Sequence, residues 1–301
     1  MKKNKGFTPI ELIVVILIIA MLIAILWPAR SRVKYVAMRR ICGTKLKGLG
    51  TSTSVYARDY DGYFPQLPGN GPWSKELGFS YDNENPEFNG VHANTSRTIT
   101  ASLYLLVRYV DADPRIFVCL EGNEVPFKTE NSQNLDISKL WDFGSEPYEH
   151  ISFSIQNPYG KFPLHDSLPS GFAMAADMNP WFHRGNIVLP GENPNSHINS
   201  PQILNVLNKE SYLAANSQNH DAESRESFKG RYKYPGQNIL FADGRCEYEN
   251  TPNVGINNDN IYTYWSTIEN PTEQDIQGGT APTGRNPEND SKSKDDSFLV
   301  L

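Results

Sequence analysis

The chain has 301 residues, 39% hydrophobic and 21% charged, with 22 glycines and 21 prolines, enough for one large or two small globular units. A net charge of −6 gives no basic field for gripping nucleic acid, so no nucleic-acid partner is expected. Three cysteines, Cys42, Cys119 and Cys246, exclude a disulfide-rich scaffold, and the Cys-x-x-Cys spacing of zinc or redox sites is absent. One bridge in an oxidising compartment is compatible with this count, and Cys42 with Cys119 is the preferred pair because Cys246 sits on a different predicted element.

Residues 1–6, MKKNKG, form a short basic leader. From Phe7 to Trp27 the chain is almost wholly apolar, and Leu12–Trp27 carries no charge. At 1.5 Å per residue this stretch reaches about 30 Å, the thickness of a hydrocarbon core, so residues 7–28 are expected to span a membrane. Lys2, Lys3 and Lys5 place the leader in the cytoplasm by the positive-inside rule, and everything after residue 30 beyond the inner membrane. Loss of the leader would move the net charge from −6 to −9, leaving a clearly acidic outer part.

A secretory signal peptide and a simple signal anchor are the plainer readings of this stretch. The run is longer than a usual signal core, and Trp27-Pro28-Ala29-Arg30 lacks the small-x-small cleavage pattern. Neither plainer reading explains Glu11. A carboxylate in an apolar span costs about 2.5–3.5 kcal/mol at the helix centre and needs a partner. Cleavage after Gly6 would create an α-amino group on Phe7, four residues from Glu11. That amine could pair with Glu11 of its own chain, or with Glu11 of a neighbouring subunit, which would give assembly a physical rule.

Lys5-Gly6-Phe7-Thr8-Pro9-Ile10-Glu11-Leu12, followed by the apolar run and Pro28, resembles the type IV prepilin cleavage and methylation signature. The resemblance implies cleavage between Gly6 and Phe7 by a prepilin peptidase, N-methylation of Phe7, and guidance of polymerisation by Glu11. Pro9 departs from the usual leucine. It is tolerable there because the first N–H groups of a helix have no partner anyway.

Beyond Pro28 the pattern becomes amphipathic. Tyr35, Met38, Cys42, Leu46, Leu49, Thr53, Tyr56 and Tyr60 step by three or four along one face, so residues 29–62 are expected to continue the helix as a stem. A helix from Phe7 to about Asp59 would be roughly 80 Å long. Gly43, Gly48 and Gly50 each weaken it by about 1 kcal/mol against alanine, so tertiary packing must support it. The segment Cys42–Gly50, with Tyr56, Asp59, Gly62, Phe64 and Pro65, is similar to large prepilin-type proteins of planctomycete-like bacteria, which carry a C-terminal domain with an H-x9-D-G motif.

Residues 63–269 read as an extracytoplasmic α+β domain. Positions 63–100 are loop-like, Leu103–Val110 a short helix, and Arg115–Leu120 a buried strand. Ile151–Gln156 alternates as a half-buried strand, and Phe172–Ala176 is another candidate. Gln237–Ala242 and Arg245–Tyr248 flank Asp243-Gly244, a tight-turn signal in which both central positions favour φ > 0. The segment Gly236-Gln237-Asn238 to Phe241-Ala242-Asp243-Gly244 resembles the G-Q-N-V-L-F-A-D-G-H-V pattern that carries the D-G of the H-x9-D-G motif. Lys233 stands where the motif's histidine would be, with His220 the nearest histidine. Residues 270–301 read as a flexible tail, whose last four residues either dock as a terminal strand or fray.

No residue set singles out an enzyme. His92, His150, His165, His183, His197 and His220 are scattered without ligand spacing, and no nucleophile elbow, Walker loop or dinucleotide glycine pattern occurs. No catalytic residue, metal or cofactor is therefore assigned. Calcium is the metal to weigh, at Asp59-Tyr60-Asp61-Gly62 or Asn257-Asn258-Asp259-Asn260, against turn capping by the same side chains.

The sequence thus points to an α+β pseudopilin-like subunit with a long N-terminal helix on a loop-rich, mostly antiparallel sheet. Its expected partners are prepilin peptidase, other pilin or pseudopilin subunits and the inner membrane. A single-pass protein with its C-terminal domain in the periplasm would assemble into a type II secretion or type IV pilus-like filament. The rivals are a membrane-anchored binding protein for a polysaccharide or an exported substrate, and an exported enzyme displayed on a pilin stem.

Overall fold

The computed structural model describes residues 8–67, 98–120, 124–128, 137, 140–144, 146–159, 161–179, 182–183, 186–187, 236–265, 267, 269–277 and 291–300. The first helix, α1, covers Pro9–Asp59. The chain divides into two compact units, Met1–Arg40 and Ile41–Leu301. The outer unit therefore starts inside α1, 22 residues before the expected boundary at residue 63, because the amphipathic half of the helix is part of that unit's core. Among the described residues no helix is long and apolar enough to cross a membrane.

The fold is α+β. A five-stranded antiparallel sheet has the order β6-β5-β2-β1-β7. Its strands are β1 (Phe153–Gln156), β2 (Ala173–Asp177), β5 (Gln237–Phe241), β6 (Cys246–Glu249) and β7 (Leu299–Val300). A separate two-stranded ribbon pairs β3 (Phe182–His183) with β4 (Asn186–Ile187). Every residue of β1 and β5 is buried, so the centre of the sheet is covered on both faces.

The helical stripe is a core stripe: Cys42, Leu46, Leu49, Thr53 and Tyr56 are all buried. The helix glycines gain a reason from the sheet. A Cβ on Gly43 would come within 3.0 Å of Asn238 Oδ1, and one on Gly50 within 2.8 Å of Leu240 Cδ1. Asn238 and Leu240 are two apart on β5 and so share the face turned to α1. Close approach of helix backbone to strand is what those two glycines allow.

Helix α2 covers Ile99–Val110, starting four residues before the expected Leu103. Thr98 caps it by accepting from the Ala101 N–H, and Asp111 ends it in the left-handed region. The expected strand Arg115–Leu120 is instead a 3₁₀ turn, Pro114–Phe117, followed by extended residues. Asp113 accepts from the Arg115 N–H and Pro114 opens the turn, and these local bonds override the apolar run. Phe117 still reaches the core, packing edge-on against Phe143 with centroids 5.0 Å apart.

The β5–β6 hairpin is present, but its turn differs from the expected one. Of the two central residues, only Gly244 has positive φ, at 81°. Gly244 N–H donates to Phe241 O and Phe241 N–H to Arg245 O, so Ala242-Asp243-Gly244 is a three-residue loop with a glycine bulge. Asp243 keeps negative φ and accepts from the Arg245 N–H with its side chain, so the turn needs only one left-handed residue.

Of the two outcomes expected for the last residues of 270–301, docking as a terminal strand is the one found, and the other described parts of this stretch carry structure as well. Glu273–Gln277 forms a short helix, α3. Phe298, Leu299 and Val300 are fully buried, and β7 pairs with β1. Polar side chains hold this terminal segment. Phe298 N–H donates to Gln156 Oε1 at 2.7 Å, and Asn179 Nδ2 donates to Leu299 O at 2.5 Å. The sequence shows the polar spacer but not the side chains waiting for the backbone that follows it.

Candidate functional site

The N-terminal site is built on the first turn of α1. Pro9 is its first residue, and Thr8 precedes it as the N-cap. Thr8 N–H and Thr8 Oγ1 donate to Glu11 Oε2 at 2.8 and 2.7 Å. Glu11 N–H points back to Thr8 Oγ1 at 3.4 Å. This is a reciprocal capping box in which Glu11 occupies the third helical position. Proline suits the first helical position, since its missing N–H has no helical partner there. The departure at Pro9 therefore fits the local fold.

The capping role of Thr8 was missed from sequence, although Thr8-Pro9-Ile10-Glu11 carries the threonine-x-x-glutamate pattern that signals it. Glu11 thus has intrachain partners before any second subunit is considered. Gly6 and Phe7, the expected cleavage and methylation residues, lie outside the described residues. Downstream of the box the helix presents a continuous apolar surface. The large side chains from Ile10 to Ile25 are between 44% and 73% exposed, with Val15 and Ile25 at the extremes.

In the outer unit, Cys42 and Cys119 form a disulfide with Cα atoms 5.1 Å apart. Cys246 remains a thiol. Burial, with Asp177 and Glu247 adding to it, pushes that thiol up to about 12, so it is a poor nucleophile.

The glycine-rich motif has a structural explanation residue by residue. A Cβ on Gly236 would meet Glu249 O at 2.6 Å and the Tyr248 ring at 2.7 Å. Gln237 Nε2 donates to Thr251 O at 2.6 Å. Asn238 donates from its backbone N–H and its Nδ2 to Asp177 Oδ2 at 2.7 and 3.0 Å. These residues assemble the hairpin and tie it to β2, while Asp243 and Gly244 shape its turn. Lys233 and His220, on which a histidine role would rest, lie outside the described residues.

The two calcium candidates are used as turns. At the end of α1, Gly62 N–H donates to Ala57 O, and Asp61 O accepts from His165 Nε2 at 2.9 Å. Asp61 and Gly62 both have positive φ, so the segment is a helix C-cap. In the second candidate, Asn257 and Asn258 are exposed in the left-handed region, while Asp259 points inward. Its Oδ1 accepts from Trp265 Nε1 and its Oδ2 from Ser297 N–H. Burial and the neighbouring Asp296 carboxylate raise its pKa well above the usual range. Asn260 Oδ1 accepts from Tyr262 N–H. The Asp259 and Asn260 side-chain oxygens are thus taken up by hydrogen bonds within the protein. Among the described residues no group of three or more His, Cys, Asp or Glu side chains could hold a metal ion.

Among the described residues the histidines do not come together either. His150 bonds Val125 O through Nδ1, and His165 caps α1. His183 lies on β3, and His92, His197 and His220 are outside the described residues.

Residues 1–27 match the prokaryotic N-terminal methylation motif. That match supports a prepilin- or pseudopilin-type protein, and with it processing by a prepilin peptidase and association with other pilin subunits in general terms. No curated protein and no solved structure is significantly similar to the chain.

Proposed function

We propose that this chain is a membrane-anchored prepilin-like subunit, cleaved between Gly6 and Phe7, N-methylated on Phe7 and assembled into a type II secretion or type IV pilus-like filament. The observation that carries this reading is the methylation motif over residues 1–27. The apolar surface of α1 supports it. Side chains from Ile10 to Ile25 that are about half exposed call for lipid or other helices around them rather than water. At about 25 cal/mol per Å² of apolar area, burying such a surface contributes many kcal/mol.

In this reading the segment 7–28 crosses the inner membrane and the outer unit lies in the periplasm. The work is mechanical rather than enzymatic. Glu11 leaves its capping partner Thr8 and neutralises the Phe7 amine of a neighbouring subunit as helices pack. The size of the outer unit suits a specialised subunit of the large group with an H-x9-D-G-type segment.

The test is intact mass and N-terminal sequencing of the protein from its native membrane. A start at N-methyl-Phe7 is expected. Glu11→Gln keeps an acceptor for Thr8 but no charge, so it should be processed and yet fail to assemble. A start at Met1, or cleavage near residue 30, would refute the reading.

A further inference from the structure

The disulfide joins residues 77 positions apart and lies in the core of the outer unit, with Cys42 0% and Cys119 1% exposed. Noncovalent contacts also join the Pro114–Cys119 segment to α1. Lys45 Nζ, only partly buried, donates to Val118 O at 2.6 Å. Ile116 reaches the helix at Gly48, where a Cβ would lie 3.7 Å from Ile116 Cγ2. Closing a loop of this length by a covalent bond removes much of the freedom of the open chain, shifting the folded-to-unfolded ratio on the order of a thousandfold.

We propose that the Cys42–Cys119 bridge is an oxidation-dependent lock that lets the outer unit close stably onto the second half of α1 only after the chain reaches an oxidising compartment. The inference rests on the reading that the region after the N-terminal segment is exported. The step is a thiol–disulfide exchange with a disulfide-bearing oxidant. The two protein thiols are oxidised to one S–S bond, and the oxidant's disulfide is reduced to two thiols, taking two electrons and two protons. Before that step the reduced chain lacks its loop constraint and leaves its core residues accessible. Afterwards both sulfurs lie inside the core, so a reductant reaches them only when the unit opens.

The third cysteine bears on which bond forms. Cys246 Sγ lies close to α1 at Gly43, 3.6 Å from where a Cβ would sit, one residue along from Cys42. It is the nearest competitor for a mispaired bridge. Its burial, with the Asp177 and Glu247 carboxylates adding to it, disfavours the thiolate that exchange requires. Once β6 has docked, Cys246 is held out of the exchange and Cys42 is left to Cys119.

The experiment uses the full chain in detergent, oxidised or else reduced and refolded with dithiothreitol present. Limited proteolysis and the denaturant midpoint are read for both samples, and alkylation mass counts the thiols. The oxidised chain should show one alkylatable thiol after denaturation and a resistant fragment beginning near residue 41. The reduced chain should show three thiols, lose that fragment, and have a folded-to-unfolded ratio lower by about a thousandfold. Cys42→Ser, Cys119→Ser and the double variant should all lose the same amount, because one bond is lost in each case. Cys246→Ser should keep the oxidised behaviour. Equal resistance of oxidised and reduced wild type would overturn the lock, as would a double variant costing twice either single one. N-terminal sequencing of the same sample reads processing separately: a chain starting at Met1 would refute the filament subunit and leave the redox result standing.

Discussion

Gly48 and Gly50 lie one turn or less apart on α1, yet alanine should have opposite effects at the two positions. Helix propensity alone favours each substitution by about 1 kcal/mol. At Gly48 the new methyl would meet only Ile116 Cγ2 at 3.7 Å, an ordinary contact, so Gly48→Ala should stabilise by about 0.5–1 kcal/mol. At Gly50 the methyl would fall 2.8 Å from Leu240 Cδ1 and 3.0 Å from Cδ2. Leu240 is 1% exposed, so turning its side chain away means displacing its core neighbours. Overpacking of a closed core costs about 1–3 kcal/mol, which outweighs the propensity gain. Gly50→Ala should therefore destabilise by about 1 kcal/mol, and the two variants should differ by about 2 kcal/mol.

Denaturant unfolding of the full-length chain in detergent measures this as a midpoint shift at unchanged slope. Adding Leu240→Val should recover part of the loss in the Gly50→Ala background, giving a coupling that independent sites would not show. Equal stabilisation by both alanines, with no coupling to Leu240, would refute the packing of this helix turn on β5.

Two further predictions concern a buried acid and a pair of glycines. Burial raises Asp142 to about 7, against the pull of the Phe143 N–H and the Thr100 and Thr98 hydroxyls. A raised folded-state value means its stabilisation is full below the unfolded value near ~3.9 and is lost as pH rises through about 7. Wild type should therefore lose up to about 4 kcal/mol relative to Asp142→Asn between about pH 4 and about pH 8, read from paired unfolding curves; a pH-independent difference would contradict it. Gly62 and Gly244 both have positive φ, at 84° and 81°, but a Cβ at Gly62 would strike the His165 ring while Gly244 has open space around it. Gly244→Ala should cost about 1 kcal/mol and Gly62→Ala about 3 kcal/mol in thermal unfolding, and the reverse order would be inconsistent with the α1 cap.

The N-terminal pattern was legible because its signals are local. Charge, apolar length and the position of Glu11 are properties of consecutive residues, and the capping box at Thr8 could have been read the same way. The stripe from Cys42 to Tyr56 was legible because helical period alone puts those residues on one face, and that face is buried. The β5–β6 hairpin was marked by Asp243-Gly244, although the type of turn depended on the Asp243 side chain bonding ahead to Arg245.

Other features were decided only by contacts distant in sequence. Apolar residues 115–120 offer a strand, but Asp113 and Pro114 start a 3₁₀ turn, and the Cys119 bridge brings its end against α1. Gly43 and Gly50 look like defects in an isolated helix and become necessary only where β5 approaches them. The last residues follow a polar stretch that reads as a loose tail. They are buried because Gln156, Asn179 and Asp259, far away in the chain, supply the hydrogen bonds that a buried backbone requires. The amino-acid order by itself determined the N-terminal signal, the long helix and the buried stripe, since each depends on spacing along one element. The tertiary structure decided which glycines, acids and terminal residues matter, since their energies depend on partners that spacing does not reveal.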